Sequence, residues 1–215
     1  MTLRKTLLST LLLSFAIAGN VYAETAEEKF DRGDQYYTQQ NYQAAFPIFK
    51  ELAEQGLARA QSSLGFMYYK GLGVSQDYHQ AFKLFQKAAE QGDATAQNNL
   101  GFMYARGQGV RQDYHQAAKW YQKAAEQGDA TAQHNLGFMY HKGEGISQDY
   151  HQAFKWTQKA AEQGHAAAQF ALGVMYNIGE GVRQNYATAK MWYGRACDNG
   201  VQEACDSYRE LNEGK

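Results

Sequence analysis

Apolar residues recur along most of this chain at helical spacing, and the whole pattern repeats every 36 residues. The segment LGFMY occurs at Leu64–Tyr68, Leu100–Tyr104 and Leu136–Tyr140, and LGVMY follows at Leu172–Tyr176. In each copy the leucine and the tyrosine are four residues apart, which places both on one face of an α-helix. A pattern repeated at this fixed interval predicts a stack of similar structural units.

Each repeat is predicted to form two helices. In the second block, the first helix covers roughly Ala94–Arg106 and ends at Gly107, because glycine accepts the left-handed C-terminal conformation. Asp113 then predicts the N-cap of a second helix, with Gln116 completing a capping box, and this helix runs to about Glu126. The residues expected on its buried side are Ala117, Trp120, Tyr121 and Ala124.

Small and aromatic residues indicate how the helices pack. We expect Gly101 and Ala117 to lie where the two helices of one unit cross, since small side chains permit close approach. Tyr104 and Tyr121 are expected to fill the space between neighbouring units. One unit cannot bury its own apolar face, whereas stacking buries a continuous core. The predicted fold class is therefore all-α, a solenoid of helix pairs.

The blocks divide the chain into units. Four blocks align without gaps, a degenerate unit comes first, and a short polar segment caps the C-terminus. The predicted divisions are 25–60 for the degenerate first repeat, 61–96, 97–132, 133–168 and 169–204 for the full repeats, and 205–215 for the cap.

The first 23 residues differ from the rest. Arg4 and Lys5 precede an apolar stretch, and Val21-Tyr22-Ala23 is a small-x-small cleavage pattern. These features predict a secretory signal peptide, residues 1–23, cleaved after Ala23. No later segment reaches the roughly 18 apolar residues that a membrane span needs. The chain is expected in the periplasm, or secreted further, without a stable membrane anchor.

The only two cysteines are Cys197 and Cys205. In an oxidising compartment, a closely spaced pair suggests a disulfide. The alternatives are a metal pair or a redox centre, but a spacing of eight residues matches neither a Cys-x-x-Cys motif nor the usual zinc spacing.

Charge and motifs exclude several functions. The net charge is −1, which gives no electrostatic footprint for nucleic acid. The sequence has no nucleophile elbow, phosphate loop or His-Glu-x-x-His motif. We therefore predict no catalytic residues, no metal site and no cofactor, and the protein is not expected to be an enzyme.

The recurring polar residues have structural explanations. Regularly spaced histidines and aspartates occur at the starts of the second helices: His79, His115, His151, Asp77, Asp113 and Asp149. The aspartates are interpreted as N-caps, and the histidines form a column about 10 Å apart and not a metal cage. His134 and His141 lie seven residues apart on one helix face, where they are interpreted as surface positions, with weak metal binding as the alternative. His165 is interpreted as a turn residue.

The combination of LGxMY, GxGVxQDY and KAAEQG at a period of 36 residues resembles the Sel1-like repeat family, a relative of the tetratricopeptide repeat. The resemblance covers residues 61–204, and residues 25–60 resemble a shorter, tetratricopeptide-like unit. It implies a right-handed α-α superhelix that binds proteins. The segment Ala196–Cys205 resembles the disulfide-bridged turn of cysteine-rich members, which usually bridge every repeat. Exported bacterial members are associated with envelope assembly, signalling and host contact.

Positions at which the repeats differ are the candidates for binding. In tetratricopeptide-type stacking, the first helices line a groove, and several side chains of this sequence would point into it. These residues are Asn98, Asn99, Asn135, Lys70, Arg106, Lys142, Phe66, Phe102, Phe138, Tyr69 and His141. Asparagine amides can pair with a peptide backbone, lysine and arginine attract carboxylates, and aromatic rings bury apolar anchors. The alternatives are that the basic column is solvated surface and that the phenylalanines belong to the core.

These observations support three functional hypotheses. The first is a monomeric, non-enzymatic scaffold that binds a protein or peptide partner as an extended segment in the groove. The second is a periplasmic immunity or inhibitor protein directed against a toxin. The third, implied by some cysteine-rich family members, is binding or hydrolysis of β-lactams, although no nucleophile–base pair is visible in this sequence.

Overall fold

The computed structural model describes residues 24–213, so the predicted signal peptide lies outside the described residues. Within that range the chain forms eleven helices and no strand. Their bounds are α1 Ala26–Thr38, α2 Tyr42–Glu54, α3 Ala58–Lys70, α4 Tyr78–Glu90, α5 Ala94–Arg106, α6 Tyr114–Glu126, α7 Ala130–Lys142, α8 Tyr150–Glu162, α9 Ala166–Ile178, α10 Tyr186–Asp198 and α11 Gln202–Glu213. Each helix packs mainly against the helices that precede and follow it in the chain. This arrangement confirms the predicted all-α repeat superhelix.

Local capping signals determine where the helices begin and end. Asp113 accepts a hydrogen bond from the Gln116 backbone N–H at 3.0 Å, and helix α6 starts beside it. The predicted capping box with Gln116 was wrong, because the Asp113 backbone N–H donates instead to the Tyr104 carbonyl at 3.0 Å. A reciprocal capping box is formed by Thr25 and Glu28 at helix α1. Gly107 ends helix α5 with φ of +65°, as the sequence predicted. The two helices of the second repeat therefore have the bounds expected from the sequence.

The core is built from the same positions in every unit. The buried residues of the LGxMY segments are Leu64, Met67, Leu100, Met103, Leu136, Met139, Leu172 and Met175. Alanines of the second helices, together with Trp120 and Tyr121, complete this interior, and the four predicted buried residues of helix α6 are all confirmed. The final tyrosine of a segment reaches the preceding unit, since the Phe82 and Tyr104 rings meet edge to face at 5.3 Å between centroids.

An aromatic ring packs directly on the glycine of the LGxMY segment. A Cβ atom placed on Gly101 would lie only 2.8 Å from Cδ1 of Tyr121, so the tyrosine ring occupies the space over this glycine. Tyr121 also packs beside Ala132 and Leu136 of the next unit. The ring therefore fills space both within its own unit and between units, which requires glycine beneath it.

A glycine in each inter-helix loop docks one unit onto the previous one. Gly109 has φ of +69°, and a Cβ atom at this position would overlap the carbonyl of Tyr78, the first residue of helix α4. Gly145 and Gly181 have the same relation to Tyr114 and Tyr150. The loops consequently approach the preceding second helix more closely than any side chain would allow.

Buried glutamines connect successive helices. Gln97 donates a hydrogen bond from Nε2 to the carbonyl of Ala89 at 3.1 Å, and its Oε1 accepts one from Gln127 Nε2 at 2.8 Å. Gln61 and Gln133 make the same pair of bonds, and Gln169 makes an equivalent pair in which Asn199 Nδ2 is the donor; all three are buried. Each glutamine thus satisfies a carbonyl near the end of one second helix and joins it to the end of the next.

A disulfide joins Cys197 near the end of helix α10 to Cys205 in helix α11, with 4.7 Å between the Cα atoms. This bond confirms the pairing proposed from the sequence. It links the terminal helix to the last complete repeat across a short turn.

Candidate functional site

Three neighbouring cavities lie along the first helices of the repeats, and we call the surface that they line the groove. The first, of about 180 Å³, lies between α1, α3 and α5. The second, of about 300 Å³, lies mainly between α3, α5 and α7. The third, of about 260 Å³, lies between α7, α8 and α9. They bring together ten of the eleven predicted groove residues: Phe66, Tyr69, Lys70, Asn98, Asn99, Phe102, Asn135, Phe138, His141 and Lys142.

Arg106 is the remaining predicted residue, and it belongs to a column of cations that lie over aromatic rings. Its guanidinium carbon is 5.5 Å from the centroid of the Phe102 ring, one helical turn earlier. Lys70 and Lys142 have the same relation to Phe66 and Phe138, at 5.8 Å. Such contacts contribute about 0.5–1 kcal/mol at exposed sites. The basic and aromatic columns therefore form one repeated unit and are not two separate features.

The phenylalanine column is neither fully buried nor fully open. Phe66 and Phe102 are half-buried, packing against the core while also lining the second cavity. Phe138 is 49% exposed and lines the third cavity. The column thus forms the boundary between core and groove. The sequence left open whether these phenylalanines belong to the core or line the groove, and their rings do both.

The asparagines differ in the hydrogen bonds that they already make. Asn135 donates from Nδ2 to Oδ1 of Asn98 at 3.2 Å, across neighbouring units. Asn99 lines both the first and the second cavities and makes no side-chain hydrogen bond with the residues described in the structure. Asn99 therefore has its full amide available to a ligand, whereas Asn98 and Asn135 partly satisfy each other.

The loop of the following repeat covers one edge of the groove. Tyr69 donates its hydroxyl to Oε1 of Gln108 at 3.1 Å, and His141 Nε2 lies 3.2 Å from Oε2 of Glu180. Gln108 and Glu180 occupy equivalent positions between the two loop glycines. Their different charges make the edge neutral beside Tyr69 and acidic beside His141.

His134 is half-buried at the wall of the third cavity and is not the fully exposed surface position that the sequence suggested. Its ring stacks on His165 at 4.8 Å between centroids, and its Nδ1 atom is buried without a hydrogen-bond partner among the described residues. Burial, together with the nearby His165, lowers the pKa of His134 from 6.5 to about 4. His165 is the N-cap of helix α9, accepting from Ala168 N–H at 3.2 Å, and burial lowers its pKa as well. The stack depends on contact between helix α7 and the start of helix α9, which sequence periodicity does not show.

The remaining predicted polar residues are not brought together into a metal site. Within residues 24–213, no group of three or more histidine, cysteine or acidic residues is arranged to hold a metal ion. Asp77, Asp113 and Asp149 each cap a second helix. His151 contacts the carbonyl of Gly181 at 3.0 Å through Nδ1, which ties it to the next repeat's loop.

Thr157 is a cavity residue that the sequence interpretation missed. The eighth residue of the second helix is aromatic in the first, second and fourth full repeats, as Phe85, Tyr121 and Tyr193, and it is threonine in the third. Thr157 is buried and lies on the wall of the third cavity. Alignment of the repeats does show threonine in place of an aromatic residue at this core position. The alignment does not show that the replacement leaves a cavity.

Stacked helix pairs with a lined groove define this protein as a helical-repeat scaffold. The Sel1 repeat family model matches residues 58–93, 94–129, 130–165 and 166–201. The chain therefore belongs to the Sel1 repeat family. A search of curated proteins gave no significant match. Among the described residues, no helix is long and apolar enough to cross a membrane.

Solved structures give the same family. A protective antigen of uropathogenic Escherichia coli with this repeat fold is 34% identical over 88% of this chain, with a TM-score of 0.80, and the match spans 42% of that protein's length. A Sel1 repeat protein from Oxalobacter formigenes is 37% identical over 84% of this chain and 76% of its own length, with a TM-score of 0.78. An immunity protein of Pseudomonas aeruginosa, 23% identical over 80% of this chain and 68% of its own length with a TM-score of 0.55, shares the fold.

Proposed function

We propose that the protein is a non-enzymatic, monomeric scaffold that binds an extended segment of a protein partner in the groove. The observation that carries this proposal is the row of cavities along the first helices, lined by amides, cations and half-buried aromatic rings. Membership of the Sel1 repeat family supports a role in protein interaction. The groove residues then act by binding, not by catalysis.

Each class of side chain has a defined role in this proposal. Asn99 and Asn135 bond to the backbone of the segment, which fixes its path without requiring a particular sequence. Lys70, Arg106 and Lys142 attract acidic side chains or a terminal carboxylate. The rings beneath these cations bury apolar anchors of the partner.

The proposed location is the periplasm, reached through cleavage of the signal peptide after Ala23. The sequence of residues 1–23 supports this, as does the disulfide between Cys197 and Cys205, a bond typical of oxidising compartments. Mass spectrometry of the protein recovered from a Gram-negative periplasmic fraction should show Glu24 as the first residue. Recovery of the uncleaved chain in the cytoplasm would contradict this location.

The test of the groove is crosslinking and affinity purification from envelope extracts, with the captured partner then measured by calorimetry. We expect the triple variant Asn99→Ala, Arg106→Ala, Asn135→Ala to lose the partner captured by the wild-type chain. The matched control is Gln86→Ala, Lys119→Ala, Gln122→Ala, which changes exposed residues of the second helices and should retain it. Retention of every partner by the groove variant would show that the groove is assigned to the wrong surface.

A toxin-directed immunity protein is an alternative outcome of the same experiment. The Pseudomonas immunity proteins share only the fold, so they give no information on the partner of this chain. Capture of a toxin whose activity is inhibited stoichiometrically by the purified protein would support that alternative.

A further inference from the structure

The third cavity differs from the second in its floor, because the repeat that forms it lacks an aromatic ring that its neighbours have. In the other full repeats, the ring at the eighth position of the second helix lies directly over the glycine of the LGxMY segment. A Cβ atom on Gly173 would be 2.6 Å from Cδ1 of Tyr193, and one on Gly101 would be 2.8 Å from the same atom of Tyr121. Over Gly137 the nearest atom is instead the hydroxyl oxygen of Thr157, at 2.6 Å from the same constructed position. A short side chain therefore replaces a ring at this one place.

The space left by this replacement opens to the groove. Gly137, Ala153 and Thr157 themselves line the cavity, whereas in the second cavity the equivalent position is occupied by the Phe85 ring. The volume is about 260 Å³. An apolar protein cavity of roughly 150 Å³ is sufficient to bind benzene. The third cavity is therefore large enough for one aromatic ring.

The walls suit an aromatic occupant. Phe138 and Phe170 present ring surfaces, Met175 contributes a thioether, and Val174 and Ala171 complete an apolar side. Aromatic rings pack favourably against other rings and against methionine sulfur. Polar groups are confined to a few positions, including Lys142 and the His141–Glu180 pair, where a peptide backbone can remain hydrated.

We propose that the third cavity is a pocket for a single aromatic side chain, phenylalanine or tyrosine, carried by the segment bound in the groove. The protein itself provides the precedent, because the rings of Tyr121 and Tyr193 lie over the equivalent glycines, Gly101 and Gly173, in the adjacent repeats. An aromatic residue of the bound partner would take the place of the ring that is missing from this repeat. This inference rests on the proposed groove function, but its first test does not require the partner.

The test uses p-cresol, the analogue of a tyrosine side chain, titrated into the full mature chain with ¹³C-labelled methyl groups. We expect saturable shifts of the Ala153, Thr157 and Val174 methyl signals. Thr157→Tyr should abolish these shifts because the new ring fills the cavity, whereas Thr157→Ser should retain the wild-type affinity. Tyr121→Thr should create a second set of shifts at Ala117, since it opens the equivalent space in the preceding repeat.

A second cavity-filling variant distinguishes a filled cavity from a misfolded Thr157→Tyr protein. Ala171→Phe fills the cavity from helix α9 without changing Thr157, and it should also abolish the shifts while the circular dichroism spectrum stays that of the wild type. Shifts that persist in a folded filled variant, that map elsewhere, or that are absent from the wild type would overturn the proposal. Dimerisation of the wild type that Thr157→Tyr abolishes would assign the cavity to a second copy of the chain and would also overturn it.

The two proposals fail in different ways. If p-cresol binds as expected but the groove variant keeps every partner, the pocket is real and the groove assignment is wrong. If the groove variant loses the partner but p-cresol does not bind, the groove assignment stands and the aromatic pocket is wrong.

Discussion

The half-buried His134 ring, whose Nδ1 atom is buried, predicts a pH dependence of stability that can be calculated from the structure. Its pKa is about 4 in the folded protein, because burial and the stacked His165 oppose its protonation, against 6.5 for the ordinary side chain. The unfolded chain therefore binds the proton more readily than the folded one. This contribution to stability is complete above pH 6.5 and is lost progressively as the pH falls towards 4.

The size of the effect follows from these two pKa values. Between pH 7.5 and pH 5.0, proton linkage at His134 should lower the free energy of unfolding by about 2 kcal/mol, and the full loss below pH 4 approaches ~3 kcal/mol. The comparison variant is His134→Asn, because asparagine occupies the equivalent position, Asn98, in the preceding repeat.

The assay is urea denaturation of the wild type and the variant at both pH values. For each protein it gives the change in the free energy of unfolding between pH 7.5 and pH 5.0, and the two changes are compared. We expect the variant to lose about 2 kcal/mol less than the wild type over this range. His165 is present in both proteins, so its own titration largely cancels. His115→Asn, at an exposed helix start, is the control for removing a histidine. An identical pH effect in the wild type and His134→Asn would refute the assignment of a buried, hard-to-protonate ring.

Three further predictions concern the packing between units. Gly109→Ala should destabilise the protein by more than 1 kcal/mol in urea denaturation, because the new methyl group overlaps the Tyr78 carbonyl and φ is positive; an unchanged midpoint would show that this loop is not docked. Replacing Cys197 and Cys205 by serine should cost about 2–3 kcal/mol and increase hydrogen exchange in helix α11 first; equal protection of that helix would contradict a stapling role. Gln133→Leu should cost about 1–3 kcal/mol by leaving the Ala125 carbonyl without its partner, whereas an exposed control such as Gln122→Leu should change the midpoint little.

The sequence alone determined the helices, the period and the family. Asp113 and Gly107 act through hydrogen bonds and backbone angles within a few residues, so they fix helix ends wherever the repeat is placed. The regular spacing of Leu100 and Tyr104 identifies the buried face for the same local reason. Ten of the eleven predicted groove residues line the described cavities because equivalent positions of a stacked repeat point the same way, although their role in binding stays a prediction.

Only the tertiary structure decided which side chains meet across units. His134 is half-buried because His165 at the start of helix α9 stacks on it, and the ring of Tyr121 packs directly on Gly101. Thr157 differs from its equivalents by one residue in the sequence, but the consequence is a cavity formed by three helices. Periodicity describes what the repeats have in common. Where a particular repeat departs from that pattern is determined by how its different side chains pack against one another. Such packing involves residues about 30 positions apart in the chain.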